Sequence, residues 1–338
     1  MLAIAANTFN TPSQTFIRAH VTHIAPARTV LICREDDGAA QFGCPVLSDV
    51  APLPRPRHLS ERIANGLRRR WQNYVNPAAS GRDEARIRAF LQRHGVTVVL
   101  AEFGPNGALL RRACTRASVP LYVHFHGFDA TKLARNAHWR RHYRRLFRDA
   151  TGIIVPSDFL AGRLRDLGCP RDKLHVSPNG VDPGQFSKMR RVPGRLVAIG
   201  RLVEKKAPHL TIRAFAKVHR QRPDATLVMI GEGALRGLCE MEIAESDLEG
   251  SVEMRGSQGP DEVRRALSEA EVFVQHSVTG RDGDMESFGV SLAEAMASSV
   301  PVVTTTTTAF AKPSPTAKPA SSSRNTTLTA WQRRCSLS

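Results

Sequence analysis

Short apolar runs alternate with longer amphipathic segments along most of the chain. The apolar runs are nearly continuous and rich in Val, Ile and Leu, as in TVLIC at 29–33 and VTVVLAE at 96–102. Between them stand segments with the apolar period of a helix, such as DEARIRAFLQRHG at 83–95. Because strands buried on both faces lack polar alternation, this order predicts parallel sheets that are covered by helices on both sides.

The same alternation occurs twice, on either side of SPNGVDPGQFSKMRRVPG at 177–194, a stretch rich in Pro and Gly. Turn-forming residues between two apolar runs are typical of a domain junction. We therefore predict an α/β protein with two tandem Rossmann-like, doubly wound domains, at 1–185 and 186–304. Ligands of such sheets bind at the carboxyl ends of the strands, so the loops after the strands are the candidate sites.

Charge is distributed unevenly over the 338 residues. Residues 1–190 carry 29 Lys and Arg against 14 Asp and Glu, whereas residues 191–300 carry 14 against 17. A one-sided positive field favours an anionic partner such as membrane lipid, although an Arg-rich genome explains it nearly as well. The six cysteines show no C-x-x-C spacing, which argues against zinc and against a disulfide framework and fits a reducing cytosol.

Two short motifs follow strands of the second domain. GRLVEKKAP at 200–208 places Arg201, Lys205 and Lys206 at a strand's carboxyl end, where they could bind phosphate oxygens. Taken alone, the motif is explained slightly better by a solvated basic turn. MIGEGALRG contains Gly231 and Gly233, which could let a base or phosphate approach the backbone. Its glycine spacing is one residue longer than the dinucleotide fingerprint, so a hydride-transfer enzyme is disfavoured.

ESFGVSLAEAMAS at 286–298 contains two glutamates and the start of a predicted helix. Gly289 directly precedes the helix, so Phe288, Gly289 and Val290 stand at a helix N-terminus, whose free backbone N–H groups suit a phosphate. Glu286 before the helix and Glu294 within it could accept hydrogen bonds from sugar hydroxyls. Taken alone, the motif is explained better by a surface helix with two ordinary glutamates.

HFHGFDA at 124–130 ends a strand of the first domain and enters a loop. His126 and Asp129 would project from this end of the sheet, where a binding role is more frequent than elsewhere. A lone histidine is usually structural, and a metal site lacks a third ligand at metal spacing. The basic helix AHWRRHYRRLFRDA at 137–150 is predicted to bury an aromatic stripe, with contact to anionic lipid as the alternative.

Seven motifs together follow an order that resembles retaining glycosyltransferases of family 4, which have the GT-B fold. In chain order they are PSQTFIRAH, AEFGPNGA, VHFHGFDA, VPSDFLAGRLRDLGCPRDKLHVSPNGVD, GRLVEKKAP, MIGEGALR and GDMESFGVSLAEAMASSVPVV. The resemblance covers residues 1 to about 304 and points to enzymes of bacterial exopolysaccharide and colanic-acid-type assembly. It implies that Glu286 lies near the donor sugar, Glu294 near the ribose, and Arg201 and Lys206 at the pyrophosphate.

The resemblance also implies a reaction. His126 matches a histidine that lies near the reacting sugar. We expect a hexosyltransferase that moves a sugar from a UDP- or GDP-linked donor to a lipid-linked or polysaccharide acceptor with retention of configuration. Arg201, Lys206 and the helix N-terminus at Gly289 can stabilise the leaving diphosphate without a metal or other cofactor. The resemblance implies that the leaving phosphate helps to deprotonate the acceptor, so no dedicated nucleophile is required. We expect the protein in the cytoplasm, in peripheral contact with the inner face of the membrane.

Two other functions stay open. An inactive remnant would bind only nucleotide or membrane. Nucleic-acid binding is disfavoured, because no recognition motif is present and aromatic residues form only 6% of the chain, which leaves little for base stacking.

The sequence departs from the family at two places. Ala207 stands where the family usually has Gly, and after VPVV the expected Gly turn, strand and helices are missing. The segment 305–338 is rich in Thr, Pro, Ser and Ala, and we expect it to be disordered. A frameshift near Thr304–Thr308 would explain the change. We therefore expect an incomplete second domain, weak stability and reduced activity.

Overall fold

The computed structural model describes residues 1–9, 11, 14–35, 38–50, 79–186 and 191–305. The predicted tail at 305–338 lies, apart from Thr305, outside the described residues. The chain divides into two compact units, the first ending at Pro178 and the second beginning at Asn179. This division lies seven residues before the predicted boundary, within the same Pro- and Gly-rich stretch.

The first unit is a parallel sheet with the strand order β3-β2-β1-β4-β5-β6-β7. Its strands are β1 Leu2–Ala6, β2 Thr29–Cys33, β3 Val46–Leu47, β4 Val98–Glu102, β5 Leu121–His124, β6 Gly152–Val155 and β7 Leu174–Val176. Its described helices are α1 Thr15–His23, α2 Gly81–Arg93, α3 Gly104–Ala117, α4 Ala137–Asp149 and α5 Asp158–Asp166.

The second unit is a parallel sheet with the order β10-β9-β8-β11-β12. Its strands are β8 Arg195–Ile199, β9 Thr226–Ile230, β10 Val252–Met254, β11 Val272–Gln275 and β12 Val302–Thr304. Its described helices are α6 Pro208–His219, α7 Arg236–Glu245, α8 Pro260–Glu269 and α9 Val290–Ala297. Both orders follow the 3-2-1-4-5 pattern of a doubly wound sheet, which confirms the predicted fold class.

Alternate residues of β1 show why the apolar runs carry no polar alternation. Ala3 and Ala5 belong to one apolar cluster, whereas Leu2, Ile4 and Ala6 belong to another. Both faces of the sheet therefore lie against apolar side chains, as expected for a strand in the middle of a parallel sheet. The second unit has the same organisation, since Leu196 and Val197 of β8 belong to different clusters.

The basic helix α4 buries the predicted aromatic stripe, which consists of Trp139, Tyr143, Leu146 and Phe147. Its five arginines are exposed: Arg140, Arg141, Arg144, Arg145 and Arg148. The stripe is thus part of the core and the basic face is turned to solvent. Among the described residues, no helix combines the length and the apolar composition that crossing a membrane requires.

Candidate active site

Each sheet contains a pair of neighbouring strands at which the strand order reverses direction. In the first unit these strands are β1 and β4, and in the second they are β8 and β11. Loops that leave such neighbours in opposite directions open a crevice at the carboxyl ends of the strands. Glu102 ends β4, and Arg201 and Lys206 follow β8. His126 and Asp129 follow β5, the strand beside β4.

In the first unit, three histidines surround one carboxylate; we call His20, Glu102, His124 and His126 the histidine cluster. His20 Nδ1 lies 2.7 Å from Glu102 Oε1, and His126 Nε2 lies 2.7 Å from Glu102 Oε2. His124 Nδ1 is more distant, at 3.8 Å from Oε2. Glu102 and His124 end β4 and β5, two strands that pair in register, and His20 reaches the carboxylate from α1.

Glu102 is completely buried. Burial by itself raises the pKa of a carboxyl group, but hydrogen bonds from His126 and His20 outweigh burial and hold the pKa of Glu102 well below its usual range. The carboxylate is therefore ionised and can only accept hydrogen bonds. Each facing nitrogen, Nδ1 of His20 and Nε2 of His126, must then carry a proton.

His124 completes the cluster as an uncharged group. It is 4% exposed, and burial together with the charge of His126 lowers its pKa well below the ordinary value. Its ring packs against those of His20 and His126, with centroid distances of 5.5 and 4.1 Å.

Two phenylalanines pack against the imidazole of His126. Phe16 stacks on the ring at a centroid distance of 4.2 Å and an interplanar angle of 29°, and Phe103 lies 4.7 Å away. Phe103 has φ 69° and ψ 141°, a backbone conformation that costs a residue with a side chain about 1–3 kcal/mol. Strain of this kind persists only where the surrounding structure enforces it, and here it lies beside the candidate site.

Asp129 holds the loop that contains His126. Its Oδ1 accepts hydrogen bonds from the backbone amides of His126, Gly127 and Ala130, and its Oδ2 accepts one from Gly104. The carboxylate is fully buried, and burial raises its pKa, although the charge of His126 and then the amides of Gly104, Gly127 and His126 oppose the rise. Asp129 thus fixes the position of His126 relative to α3; its predicted contact with substrate stays a prediction.

The histidine cluster also contains a residue set that zinc uses. One nitrogen each of His20 and His124 and one oxygen of Glu102 lie within 4.8 Å of one another. The sequence around HFHGFDA offers no third ligand at the spacing of a metal site. His20, which is 82 residues from Glu102 in the sequence, provides one in the folded chain. An ion at about 2.0–2.1 Å from its ligands needs these atoms farther apart than 2.7 Å. The short contacts are those of charge-assisted hydrogen bonds, so the arrangement is a hydrogen-bonded cluster.

In the second unit, the turn Glu204–Lys206 after β8 contacts the loop after β11; we call these residues the lysine turn. Lys206 Nζ lies 2.6 Å from Glu286 Oε2, and Lys205 Nζ lies 3.2 Å from Asp284 Oδ1. Glu204 Oε2 accepts a hydrogen bond of 2.9 Å from the amide of Arg281. Three successive side chains therefore fix the loop that leads to Glu286.

Glu286 is 9% exposed. Burial raises the pKa of its carboxyl group, but the charges of Lys206 and then Lys205 outweigh burial and lower the pKa to about 2. Glu294, in the second turn of α9, has the opposite shift: burial raises its pKa to about 7, and only Arg264 opposes the rise. The two predicted glutamates therefore differ in protonation near neutral pH.

The start of α9 and Arg201 are further positions at which the sequence predicts donor binding. Gly289 has φ 78°, and no side chain in the described part of the chain caps the helix that begins at Val290. Its first amides are therefore available to an anion. Phe288 is half-buried beside them, and the Arg201 guanidinium is exposed and makes no ion pair within the described ranges.

Three small residues around the lysine turn have structural explanations. A Cβ on Gly231 would lie 2.0 Å from the carbonyl oxygen of Gly200, and one on Gly233 would lie 2.3 Å from that of Leu202. Close packing of protein backbone already requires both glycines, so their contact with donor stays a prediction. Ala207 has φ 40° and ψ 55°, a left-handed conformation that explains why glycine suits this position.

The structure adds four residues that the sequence interpretation did not single out: Phe16, His20, Glu102 and Asp284. Lys205, which the sequence placed beside Lys206, contacts Asp284. Phe16 and His20 are four residues apart on α1, so they lie on one helix face. Glu102 ends a strand, which is the same signal that identified Arg201 and His126. That signal was present in AEFGPNGA but pointed to no particular partner.

Comparison with known proteins reveals two family matches. Residues 19–185 match the model described as Glycosyltransferase Family 4, and residues 190–312 match Glycosyl transferases group 1. A protein of Escherichia coli (strain K12), provisionally named a colanic acid biosynthesis glycosyltransferase, WcaL, is 33% identical over 269 residues, 74% of this chain and 64% of its own. The amylovoran biosynthesis glycosyltransferase AmsK of Erwinia amylovora is 34% identical over 213 residues, 61% and 52%.

The chain spans about half to two thirds of the length of these curated relatives. Among solved structures, Anabaena Alr3699/HepE in complex with UDP and glucose aligns with a TM-score of 0.67 and 16% identity, covering 92% of this chain and 82% of that one. The lipopolysaccharide outer core galactosyltransferase WaaB, in its apo form, aligns with a TM-score of 0.57 and 15% identity, covering 90% and 80%. At this identity the likeness concerns the fold alone.

Proposed function

The chain belongs to the family 4 glycosyltransferases of GT-B fold, and from this premise we propose that it transfers a sugar from a nucleotide-diphosphate sugar to a lipid-linked or polysaccharide acceptor. The observation that carries the proposal is the group of cations and free amides in the second unit. Arg201 and Lys206 follow β8, and the uncapped start of α9 follows the neighbouring strand β11. Such a group suits a diphosphate.

The proposed chemistry places charge stabilisation on these residues. Cleavage of the glycosyl–phosphate bond develops negative charge on the diphosphate as it leaves. Arg201, Lys206 and the first amides of α9 would bind that charge, and fixed donors of this kind need little reorganisation during the reaction. We propose that transfer occurs with retention and without a metal, with the leaving diphosphate accepting the proton of the acceptor hydroxyl.

The two glutamates would orient the donor. Glu286 is ionised and tied to the lysine turn, so it can accept hydrogen bonds from hydroxyls of the donor sugar. Glu294, with its pKa near 7, can accept or donate a hydrogen bond and suits the ribose hydroxyls. In the first unit, His126 would lie beside the reacting sugar.

The acceptor and the cellular location are further parts of the proposal. The relatives act, by name, in colanic acid and amylovoran biosynthesis, which supports a cell-surface glycan as the acceptor class. The exposed arginines of α4 would contact anionic lipid head groups, each contributing about 1 kcal/mol near the surface. This supports a protein that works in the cytoplasm at the inner face of the membrane.

Calorimetric titration of the full chain with UDP, GDP, UDP-glucose and GDP-mannose tests the proposal. Arg201→Ala is expected to weaken nucleotide-diphosphate binding about tenfold to a hundredfold, because a charge-assisted hydrogen bond is lost. Arg220→Ala, which removes an exposed arginine at the end of α6, is the matched control and should bind like the parent chain.

Transfer is then measured with a labelled donor and a lipid-linked oligosaccharide, and the product's anomeric configuration is read by nuclear magnetic resonance. Nucleotide binding without transfer favours the inactive remnant. A chain that binds none of the four ligands contradicts the proposed function.

A further inference from the structure

Glu102 and His20 have no role in the donor chemistry described above. Yet Glu102 lies 2.7 Å from the ring of His126, and His20 lies 2.7 Å from the other oxygen of Glu102. Glu102 is completely buried, and the cationic partners of its two oxygens among the described residues are imidazoles. A buried carboxylate is costly unless hydrogen bonds satisfy it. This carboxylate is satisfied by holding one histidine on each oxygen, which ties His126 to His20 through a single group.

We propose that Glu102 and His20 are positioning residues that act through His126, holding its imidazole in one tautomer and one orientation. The significance of this positioning for catalysis rests on the proposed function, which gives His126 its role near the reacting sugar. Both residues lie in motifs that carry the family resemblance, PSQTFIRAH and AEFGPNGA, but the resemblance assigned neither of them a role.

The first step concerns the proton on His126. Because ionised Glu102 can only accept, the facing nitrogen Nε2 must donate and therefore carries the proton. In a neutral ring this leaves Nδ1 as the acceptor nitrogen. A ring without this partner would distribute its proton over both nitrogens, so Glu102 decides which hydrogen bond His126 can make elsewhere.

The second step concerns the carboxylate. His20 Nδ1 donates to Oε1 at 2.7 Å, so the rotation of the Glu102 carboxylate is fixed from the opposite side. His20 shares a face of α1 with Phe16, which stacks on His126 at 4.2 Å. One helix face therefore supplies both the group that fixes the carboxylate and the group that fixes the plane of the ring.

Further contacts constrain the same ring. Asp129 holds the backbone amide of His126, and Phe103 covers a further side of the imidazole in a strained conformation. A solvent-exposed histidine needs none of these contacts. A ring constrained at its edge, its face and its backbone is what a reaction needs when a misplacement of about 1 Å costs a hundredfold in rate.

Ring nitrogen resonances of the full chain, labelled with ¹⁵N-histidine, test the inference without any substrate. His126→Gln and His20→Asn variants assign the signals. Above pH 8 the expected spectrum shows a protonated Nε2 on His126 and a protonated Nδ1 on His20. Glu102→Gln is expected to abolish this fixed pattern for both rings, because an amide can accept or donate.

Glu84→Gln is the matched control. Glu84 is also a buried glutamate of the first unit, 4% exposed, and its partner is Arg116 rather than a histidine. The resonances of His126 and His20 should be unchanged in this variant. A Glu102→Gln protein that keeps the parent ring pattern, or a parent protein whose His126 Nε2 lacks a proton, overturns the inference even if Glu102→Gln does not fold.

Kinetics supply the second readout. Glu102→Gln should lower kcat by roughly ten- to a hundredfold and change the donor KM by less than about threefold, because orientation rather than binding is lost. His20→Ala should lower kcat in the same direction, and His20→Asn, whose amide can donate at a similar reach, should restore part of it.

The failures are distinguishable. If the parent chain shows the expected ring pattern but no turnover, the proposed function fails and the positioning of His126 by Glu102 and His20 stands. With normal turnover in Glu102→Gln, the positioning role fails and the proposed function stands.

Discussion

Lys206→Met is expected to destabilise the second unit by about 2–3 kcal/mol at neutral pH. The displacement of the Glu286 pKa from 4.5 to about 2 corresponds to about 3 kcal/mol of interaction. Lys206 lowers the pKa of Glu286 more than Lys205 does, and the smaller interaction with Lys205 remains in the variant. Removing one partner of a buried ion pair typically costs about 3–5 kcal/mol, and the 15% exposure of Lys206 argues for the lower part of the range.

The loss should depend on pH. Because the folded-state pKa of Glu286 is depressed, its ionised form contributes stability above pH 4.5 that is lost as the pH falls from 4.5 to about 2. The difference between the parent chain and Lys206→Met should therefore be largest near neutrality and shrink through this window. In a Glu286→Gln background, Lys206→Met should cost much less, which leaves a coupling energy of about 1–3 kcal/mol.

Urea titration followed by far-ultraviolet circular dichroism measures these free energies of unfolding. Hydrogen exchange of the β11 amides assigns the loss to the second unit. Arg236→Met, which removes exposed ion pairs with Glu232 and Glu240, is the control and should leave the midpoint unchanged. If Lys206→Met costs the same in both backgrounds, or the same at every pH, the pair does not carry the energy assigned to it.

Three further predictions concern single residues of the second unit. Ala207→Gly should raise the free energy of unfolding by about 0.5–1 kcal/mol in urea titration, because the strain of the left-handed alanine exceeds the entropy that glycine adds to the unfolded chain. A free energy of unfolding that falls by more than this amount would contradict the assigned strain. Gly231→Ala should destabilise by at least about 2 kcal/mol, because its Cβ would lie 2.0 Å from the Gly200 carbonyl oxygen, and a parent-like melting temperature would refute this. For Glu294, whose pKa is raised from 4.5 to about 7, stability should fall as the pH rises through that interval by about 2–3 kcal/mol, and Glu294→Gln should remove the slope; an unchanged slope would assign it to another group.

The apolar pattern determined the fold to a large degree. Strands such as β1, with both faces buried, read as continuous apolar runs, and this signal is local to each strand. The parallel arrangement follows because helices stand between successive strands. The predicted ends of the strands were less accurate than their order. The predicted strand VTVVLAE begins before β4, which starts at Val98, and the two-residue strand β3 is too short to produce an apolar pattern in the sequence.

The sequence by itself also indicated which loops are candidates for a binding site. Arg201, Lys206 and Glu286 each follow a strand, and position relative to a strand is a local property that a sequence shows directly. Their motifs, taken in order along the chain, specify the family more sharply than any one of them does.

Only the tertiary structure decided which of these groups meet. Lys205 and Asp284 are 79 residues apart, and Glu102 and His20 are 82 apart. These contacts arise because β8 pairs with β11 and β1 with β4, so that ends of strands distant in sequence become neighbours. The same pairing sets burial, which moves the pKa of Glu286 to about 2 and that of Glu294 to about 7. Burial and partner are properties of the assembled sheet, so two glutamates in one motif acquire different protonation states only after folding.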